Sequence, residues 1–253
     1  MMKYKIPFIL ILSLMLTLCA STQEKLQKQR AEDPQYQYNI GLVYLQNGNF
    51  AEATKYFNKA LALRSNFYLA LNALGLTNFM QGEFQNAAGY FEKCLQVNPG
   101  FSEARNYLGS VYQELGLLDR AEEEYRRAIA DETYKSRELP YYNLARLYLA
   151  QDKNEEALQL VEKSIEINSR MVMSLNLKGI VLERLGRIKD AIESYRKALR
   201  INPEDINLNY NLAVAYFKDD RREDAKIIFE KIYPQVTDKE TRDKINEYLK
   251  VLK

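Results

Sequence analysis

The sequence predicts an all-α fold, a right-handed superhelical solenoid of six two-helix repeats with a capping helix at the C-terminal end. Three observations predict it. Small residues recur at a nearly constant interval, an alanine follows each of them at a fixed distance, and glycine or aspartate separates the two helices of each unit. A single helix pair cannot bury its apolar face alone, so the units are expected to stack on one another.

The spacing of small residues sets the length of the repeat. Gly or Ala recurs at intervals of 34, 34, 36, 34 and 34 residues, at Gly41, Gly75, Gly109, Ala145, Gly179 and Ala213. An alanine stands further along every unit, at Ala53, Ala87, Ala121, Ala157, Ala191 and Ala225. A larger side chain follows it, at Phe57, Phe91, Tyr125, Val161, Tyr195 and Phe229. Small residues allow close helix crossings and large ones fill the gaps, which is the pattern expected of packed helix pairs.

The turns between paired helices carry residues that tolerate a left-handed backbone. These turn residues are Gly48, Gly82, Gly116 and Gly186, with Asp152 and Asp220 in the fourth and sixth units. A left-handed residue commonly ends a helix, and glycine adopts that conformation without a steric penalty. We therefore expect each helix pair to turn at one of these positions.

These positions resemble the signature of the tetratricopeptide repeat (TPR), which has a period of 34 residues. The resemblance implies two amphipathic helices in each unit, with the first helices of successive units lining a concave face. The predicted organisation is repeats one to three in residues 34–135, a two-residue insertion at 136–137, repeats four to six in residues 138–236, and the capping helix in residues 237–253.

The insertion lengthens the junction DETYKSRELPYYN, residues 131–143. One interpretation is a harmless loop extension. The other is a change in the superhelix that divides the array into two halves of three repeats. Pro140 falls near the start of the next predicted helix, where a proline is tolerated.

The C-terminal end carries the features of a cap. Pro234 is expected to end the last repeat helix, and the segment from Thr237 to Glu240 forms a capping-box pattern at the start of another. The apolar face predicted for that helix consists of Ile245, Leu249 and Leu252. Such a helix covers the apolar end of a repeat stack and presents polar residues to water.

The composition excludes most catalytic chemistry. The chain has no His and two Cys, with neither a CxxC pair nor a zinc spacing. Cys94 takes the small-residue position of a second helix, where a buried structural thiol is expected. No phosphate-binding glycine loop or nucleophile motif is left outside the repeats. With 36 basic against 34 acidic residues, there is also no basic field for nucleic acid. We expect no enzyme, cofactor, metal or small-molecule substrate.

Residues 1–18 read as an export signal. Lys3 and Lys5 precede a run of low polarity from Ile6 to Leu18. This run is shorter than the roughly 20 apolar residues that span a bilayer, and it has the length of a signal-peptide core.

The end of this run, Leu16-Thr17-Leu18-Cys19, resembles the lipobox of bacterial lipoproteins. The resemblance implies that the leader is cut before Cys19, whose thiol is diacylated, although Leu18 stands where that pattern has a small residue. The alternative is ordinary cleavage after Ala20 or Ser21. Ala20 implies, by resemblance, transfer to the periplasmic face of the outer membrane. Residues 19–33 would then form a polar tether, or extend the first helix backwards.

The predicted concave face has an apolar region in its first two units. Its predicted partner-binding residues are Tyr38, Leu42, Leu45, Leu69, Asn72, Leu76, Phe79, Met80 and Asn106. Exposed apolar patches of this kind usually mark interaction sites. The corresponding positions in units three and five are more polar and include Glu103 and Glu183. The alternative is that the tether folds back as a helix and covers the patch.

Asparagine recurs along the first helices, at Asn39, Asn72, Asn106, Asn143, Asn176 and Asn211. An amide can both donate to and accept from a peptide backbone. It can equally bond across neighbouring helices of the stack. Both interpretations remain open from the sequence.

Taken together, the lipobox, six repeats after a short tether, a first repeat reading IGLVYLQNGNFAEA and the lengthened junction resemble the pilotins of type IV pilus systems. The resemblance implies a scaffold that binds the outer-membrane secretin and promotes its localisation and oligomer assembly, with membrane contact through the lipid anchor. The alternatives are a lipidated adaptor for peptidoglycan hydrolases or other envelope complexes, and a secreted soluble binding protein.

Overall fold

The computed structural model describes residue 23 and residues 27–252. The predicted signal peptide and the predicted lipidation site, Cys19, lie outside the described residues. Throughout the described part of the chain the regular structure is helical, with no β-strand. None of the helices in that part is both long and apolar enough to cross a membrane.

Residues 34–232 form six consecutive helix pairs, which confirms the all-helical class and the two-helix unit. The first three pairs are α1 (Pro34–Gln46) with α2 (Phe50–Leu63), α3 (Tyr68–Met80) with α4 (Phe84–Val97), and α5 (Ser102–Glu114) with α6 (Leu118–Ala130). The last three are α7 (Glu138–Ala150) with α8 (Asn154–Ile167), α9 (Val172–Arg184) with α10 (Ile188–Ile201), and α11 (Ile206–Lys218) with α12 (Arg222–Ile232). A 3₁₀ turn (Tyr233–Gln235) and α13 (Lys239–Val251) follow.

The predicted turn residues all have a left-handed backbone. The φ angles of Gly48, Gly82, Gly116 and Gly186 are 71°, 78°, 74° and 72°, and those of Asp152 and Asp220 are both 57°. A short polar side chain makes Asp one of the few residues that visit this region. The turn prediction is therefore confirmed in all six pairs.

The chain divides into two compact units, the first ending at Leu115 and the second beginning at Gly116. This division falls in the turn between α5 and α6, and not at the insertion at 136–137. The segment around the insertion is an irregular turn in which Asp131 accepts hydrogen bonds from the amide and the hydroxyl of Thr133, at 3.0 and 2.7 Å. Pro140 lies in the first turn of α7.

Close contacts between a small residue and an aromatic ring hold the pairs of the first unit together. A Cβ atom on Gly75 would lie 2.6 Å from Cε1 of Phe91, and one on Gly41 would lie 2.5 Å from Cε1 of Phe57. The two rings are fully buried. Only glycine allows the backbone of a first helix to approach the ring this closely. The buried cluster that joins the first two pairs consists of Leu45, Ala53, Phe57, Ala73 and Leu74.

The second unit uses the same arrangement with one informative exchange. The ring of Tyr195 lies against Gly179 in the fifth pair, at a distance that excludes a Cβ atom. In the fourth pair the two positions hold Ala145 and Val161, which are both fully buried. In this pair a larger residue on the first helix is accompanied by a smaller one on the second, whereas the sixth pair combines Ala213 with Phe229.

The C-terminal helix α13 caps the second unit. Ile245 is fully buried, Leu252 is 8% exposed and Leu249 is half-buried, as the predicted apolar face requires. The helix begins one residue later than predicted, because its N-cap is Asp238 and not Thr237. The carboxylate of Asp238 accepts from the amide of Thr241 at 2.8 Å, which leaves Thr237 outside the helix.

An aromatic stack that the sequence did not reveal completes this cap. The ring of Tyr248 on α13 is stacked on Phe229 at 4.9 Å and meets Phe217 edge-on at 5.1 Å. These contacts tie α13 to both helices of the last pair, which explains why the array ends in a further helix.

Candidate partner-binding site

The first helices of the first unit form a common face. Helix α3 contacts both α1 and α5, so side chains on the outward stripes of these three helices lie side by side. The stripe of α3 follows the i, i+3, i+4 spacing of one helix face. We define the first-helix face as Tyr38, Leu42, Leu69, Asn72, Leu76, Phe79, Met80 and Glu103.

The predicted apolar residues of this face differ in exposure. Met80 is 53% exposed, whereas Tyr38, Leu42, Leu69, Leu76 and Phe79 are half-buried. Leu42 and Leu76 pack against the buried cluster of the first two pairs. The ring of Phe79 lies 5.8 Å from that of Phe84. Part of the predicted patch therefore supports the core, and Met80 offers the most open apolar surface.

Leu45 was wrongly predicted to face a partner. Its side chain is 7% exposed and belongs to the buried cluster with Phe57 and Leu74. Leu45 follows Gly41 by one helical turn, so it lies on the stripe of α1 that packs against α2 and α3. It stabilises the unit and is not available to a ligand.

The two asparagines predicted to bind a partner are buried. Asn72 and Asn106 are 7% and 4% exposed. Nδ2 of Asn72 donates to Oε1 of Glu103 at 3.2 Å, from α3 to α5. In the second unit, Nδ2 of Asn211 donates to Oδ1 of Asn176 at 2.9 Å, from α11 to α9. For Asn72, Asn176 and Asn211 the structure shows the second interpretation, a bond across neighbouring helices.

The sequence placed Glu103 on the concave face without a role, and it did not indicate two tyrosines that the structure adds. Tyr68 on α3 and Tyr107 on α5 are half-buried, like Tyr38 and Glu103. The ring of Tyr68 meets Phe101 edge-on at 5.0 Å, and that of Tyr107 is stacked on Phe91 at 5.7 Å. These ring contacts fix the orientation of both tyrosines.

The negative charge of Glu103 affects the pKa of two tyrosines, Tyr38 and Tyr107. Burial raises the pKa of Tyr38, and the charge of Glu103 and the nearby Tyr68 raise it further. Burial and then the charge of Glu103 likewise raise the pKa of Tyr107. Both hydroxyls consequently stay protonated and can donate hydrogen bonds. Beneath them, burial is the main cause that raises the pKa of the Cys94 thiol to about 12. Cys94 is fully buried and free, as predicted.

The tether prediction is only partly covered by the described residues. Residues 27–31 are helical and exposed, and Asp33 caps the start of α1 by accepting from the amide of Gln35 at 2.8 Å. Nε2 of Gln37 donates to the carbonyl oxygen of Ala31 at 3.0 Å. The helical stretch is therefore attached to α1 beside Gln37. On the first-helix face, Met80 is 53% exposed.

The first helices of the second unit present a different chemistry. Glu183 accepts from Nζ of Lys218 at 2.6 Å and from the hydroxyl of Tyr195 at 2.6 Å. Nη1 of Arg184 donates to the carbonyl oxygen of Leu149 at 2.9 Å and to Oδ1 of Asp152 at 3.1 Å. Polar groups on this side of the second unit are thus paired within the chain, around a cavity of about 440 Å³.

Among residue 23 and residues 27–252, no group of three or more Cys, Asp or Glu side chains is placed to hold a metal ion.

Family models for tetratricopeptide repeats match the chain over residues 32–99 and 78–133. A third model, the C-terminal ARM domain of tetratricopeptide repeat protein 21, matches residues 129–240. These matches and the six helix pairs agree in position. This protein is built from tetratricopeptide repeats.

One curated relative shares part of this TPR array. The TPR protein is 32% identical over 77 residues to anaphase-promoting complex subunit 7 of Homo sapiens, which covers 30% of this chain and 14% of that protein. The TPR protein thus spans about one seventh of that relative's length. The likeness reflects shared repeats, and TPR arrays generally serve as binding scaffolds and not as catalysts.

Two solved structures resemble the TPR protein over most of its length. PilF of Pseudomonas aeruginosa has a TM-score of 0.77 at 19% identity, covering 87% of this chain and 99% of that one. PilW, described as a widely conserved type IV pilus biogenesis factor, has a TM-score of 0.73 at 15% identity, covering 79% and 92%. At such identities the likeness establishes the fold alone.

Proposed function

We propose that this protein is a periplasmic scaffold, anchored to the outer membrane through Cys19, that binds the secretin of a type IV pilus and promotes its localisation and oligomer assembly. The observation that carries the proposal is the extent of the likeness to PilF and PilW, which includes nearly the whole of both solved chains. The lipobox-like Leu16-Thr17-Leu18-Cys19 supports the membrane anchor.

The first-helix face supports a role in binding another protein. It combines an exposed Met80 with half-buried Leu76 and Phe79 on consecutive turns of one helix. Methionine is flexible and polarisable, so it adapts to a partner's apolar surface. On the corresponding side of the second unit, Glu183 and Arg184 are already paired within the chain, which favours the first unit as the docking element.

Replacing Met80 by glutamate is expected to weaken secretin capture at least tenfold. Met80 is 53% exposed, so the charge should not disturb folding, but it would have to be desolvated in the complex. Capture from detergent-solubilised envelopes by the immobilised full chain, quantified against secretin concentration, measures the effect.

Ile227→Glu is the matched control for this experiment. Ile227 is 62% exposed and lies on α12, a second helix of the other unit. The Ile227→Glu substitution should leave secretin capture unchanged. Equal capture by the wild type and Met80→Glu would exclude the first-helix face. Capture of a peptidoglycan hydrolase in place of the secretin would favour the adaptor function instead.

Replacing Cys19 by alanine is expected to move the protein from the membrane fraction to the soluble periplasmic fraction. Only the thiol of Cys19 can carry the proposed lipid at this place, and stable anchoring depends on the buried acyl chains. Incorporation of a labelled fatty acid, followed by fractionation, measures both consequences. Label that persists in Cys19→Ala, or a wild-type chain without label, would contradict the anchor and would favour a secreted binding protein.

A further inference from the structure

Glu103 is a half-buried carboxylate without a cationic partner. Its hydrogen bond comes from Nδ2 of Asn72, a neutral amide, at 3.2 Å. Among the described residues, no Lys or Arg nitrogen forms an ion pair with it. A carboxylate has about four acceptor positions, so one amide leaves most of its capacity unused.

The charge of Glu103 acts on Tyr38 and Tyr107, and Tyr68 lies near Tyr38. Tyr38, Tyr68 and Tyr107 come from three different helices, and all are half-buried. No hydrogen bond involves their hydroxyl groups in the described part of the chain. The faces of tyrosine rings attract cations, and a carboxylate near them adds a full negative charge. Such a setting suits an ammonium or guanidinium group.

A second polar atom at the same place lacks a partner. Oδ1 of Asn72 is buried, and no hydrogen bond reaches it in the described structure. The whole residue is 7% exposed. A buried acceptor without a donor keeps the full cost of its lost hydration. A ligand that brings several N–H donors beside Glu103 could satisfy this oxygen after a small rotation of the amide.

In the second unit, a carboxylate on a first helix has both a cationic partner and a hydrogen-bond donor. Glu183 lies on a first helix and receives both Lys218 and the hydroxyl of Tyr195, each at 2.6 Å. Glu103 lies in the first turn of α5 and Glu183 in the last turn of α9, so the two are not equivalent repeat positions. Both are carboxylates on a first helix, and in the described residues Glu183 has a lysine partner whereas Glu103 has none.

We propose that the segment bound by the first-helix face carries a lysine or arginine side chain that docks on Glu103 near Tyr38 and Tyr107. This inference rests on the proposed binding role of the face and names the chemistry of its ligand. The ligand's cation pairs with the carboxylate of Glu103 as Lys218 pairs with that of Glu183. The desolvated ion pair would then supply specificity, while Leu76, Phe79 and Met80 supply apolar contact.

The geometry of α3 sets the spacing of the ligand. Asn72, which touches Glu103, precedes Met80 by eight residues, a rise of about 12 Å along the helix. An extended peptide advances by about 3.3–3.6 Å per residue, so about four residues cover this distance. A ligand with a basic residue about four positions from a large apolar residue fits both ends of the face.

Synthetic peptides of this spacing test the inference without a natural partner. The probe is acetyl-Ser-Arg-Ser-Leu-Leu-Phe-Ser-amide with a fluorescent label, together with its reversed sequence, since the direction of the bound chain is open. The matched peptides carry citrulline, a neutral isostere of arginine. We expect the full-length protein to bind at least one arginine peptide at least tenfold more tightly than its citrulline version, as measured by fluorescence anisotropy.

Substitution of Glu103 assigns this difference to one carboxylate. Glu103→Gln should bind the arginine and citrulline peptides equally, with an unchanged unfolding transition. Glu83→Gln removes the same charge from an exposed residue in the turn before α4 and should keep the wild-type difference. Equal binding of the two peptides by the wild type, no binding of either, or a difference that survives in Glu103→Gln would overturn the inference.

These outcomes are separable from those of the proposed function. If the peptides are discriminated through Glu103 but no secretin is captured, the cation site stands and the secretin is the wrong partner. If the secretin is captured equally by the wild type and Glu103→Gln and no peptide is discriminated, the scaffold function stands and the cation site is rejected.

Discussion

Replacing Ile245 by alanine is expected to lower the free energy of unfolding of the second unit by about 2–5 kcal/mol, the range for a fully buried isoleucine. Ile245 is 0% exposed and is the buried residue within α13, the helix that covers the end of the last pair. Its loss would leave a cavity and weaken the seat of Tyr248 on Phe229. Urea titration gives the change in stability, and hydrogen exchange locates it.

Val251→Ala is the matched control on the same helix. Val251 is 60% exposed. Its truncation should therefore change the free energy of unfolding by less than about 0.5 kcal/mol, as is usual for surface substitutions. Because each repeat contacts only its neighbours, Ile245→Ala should speed amide exchange in α11 to α13 and leave α1 to α3 unchanged. Comparable losses in the two variants would show that α13 does not serve as a cap.

Replacing Gly75 by alanine is expected to lower the stability of the first unit by about 1–3 kcal/mol, although alanine is the better helix former. The new Cβ would lie 2.6 Å from the ring of Phe91, which is fully buried and cannot move aside freely. The direction of the change therefore distinguishes the clash from helix propensity. Urea titration of the purified protein measures it.

A double substitution identifies the clashing partner. Phe91→Val alone should also destabilise, but Gly75→Ala combined with Phe91→Val should cost less than the sum of the two, as in the natural pair Ala145 and Val161. Gly89→Ala on α4 is the control, because a Cβ there meets no atom within 4 Å. It should be neutral or stabilising by about 0.5–1 kcal/mol. Additive losses in the double variant would refute the glycine–ring contact as the cause.

The repeat and its turns could be predicted because their determinants are local. A left-handed φ at Gly48 or Asp152 depends on that residue and its own turn. The close approach at Gly75 recurs in several units with the same spacing, so the sequence displays it repeatedly. Leu45 was misplaced because one helix can carry two adjacent apolar stripes, and only the packing of α2 and α3 decides which is buried.

The binding site was only partly predictable for a different reason. Glu103, Asn72 and Tyr38 come from three helices, and their meeting depends on how successive repeats superpose. Nothing in one helix indicates whether its carboxylate will find a cation, as Glu183 finds Lys218, or will not, as with Glu103. The cap residue Asp238 was missed on a smaller scale, because Thr237 is an equally good N-cap by type and only the backbone chooses between them.

Helices of this protein contact helices that are close to them in sequence. This pattern affects how the chain folds. Within each unit, helices contact those directly before and after them or the next first helix along. Such a chain has low contact order, closes few long loops and is expected to fold rapidly. Folding can start at any repeat and spread to the next. If the chain emerges from a translocation channel N-terminal end first, the unit that contains Met80 and Glu103 can be complete while α13 is still inside.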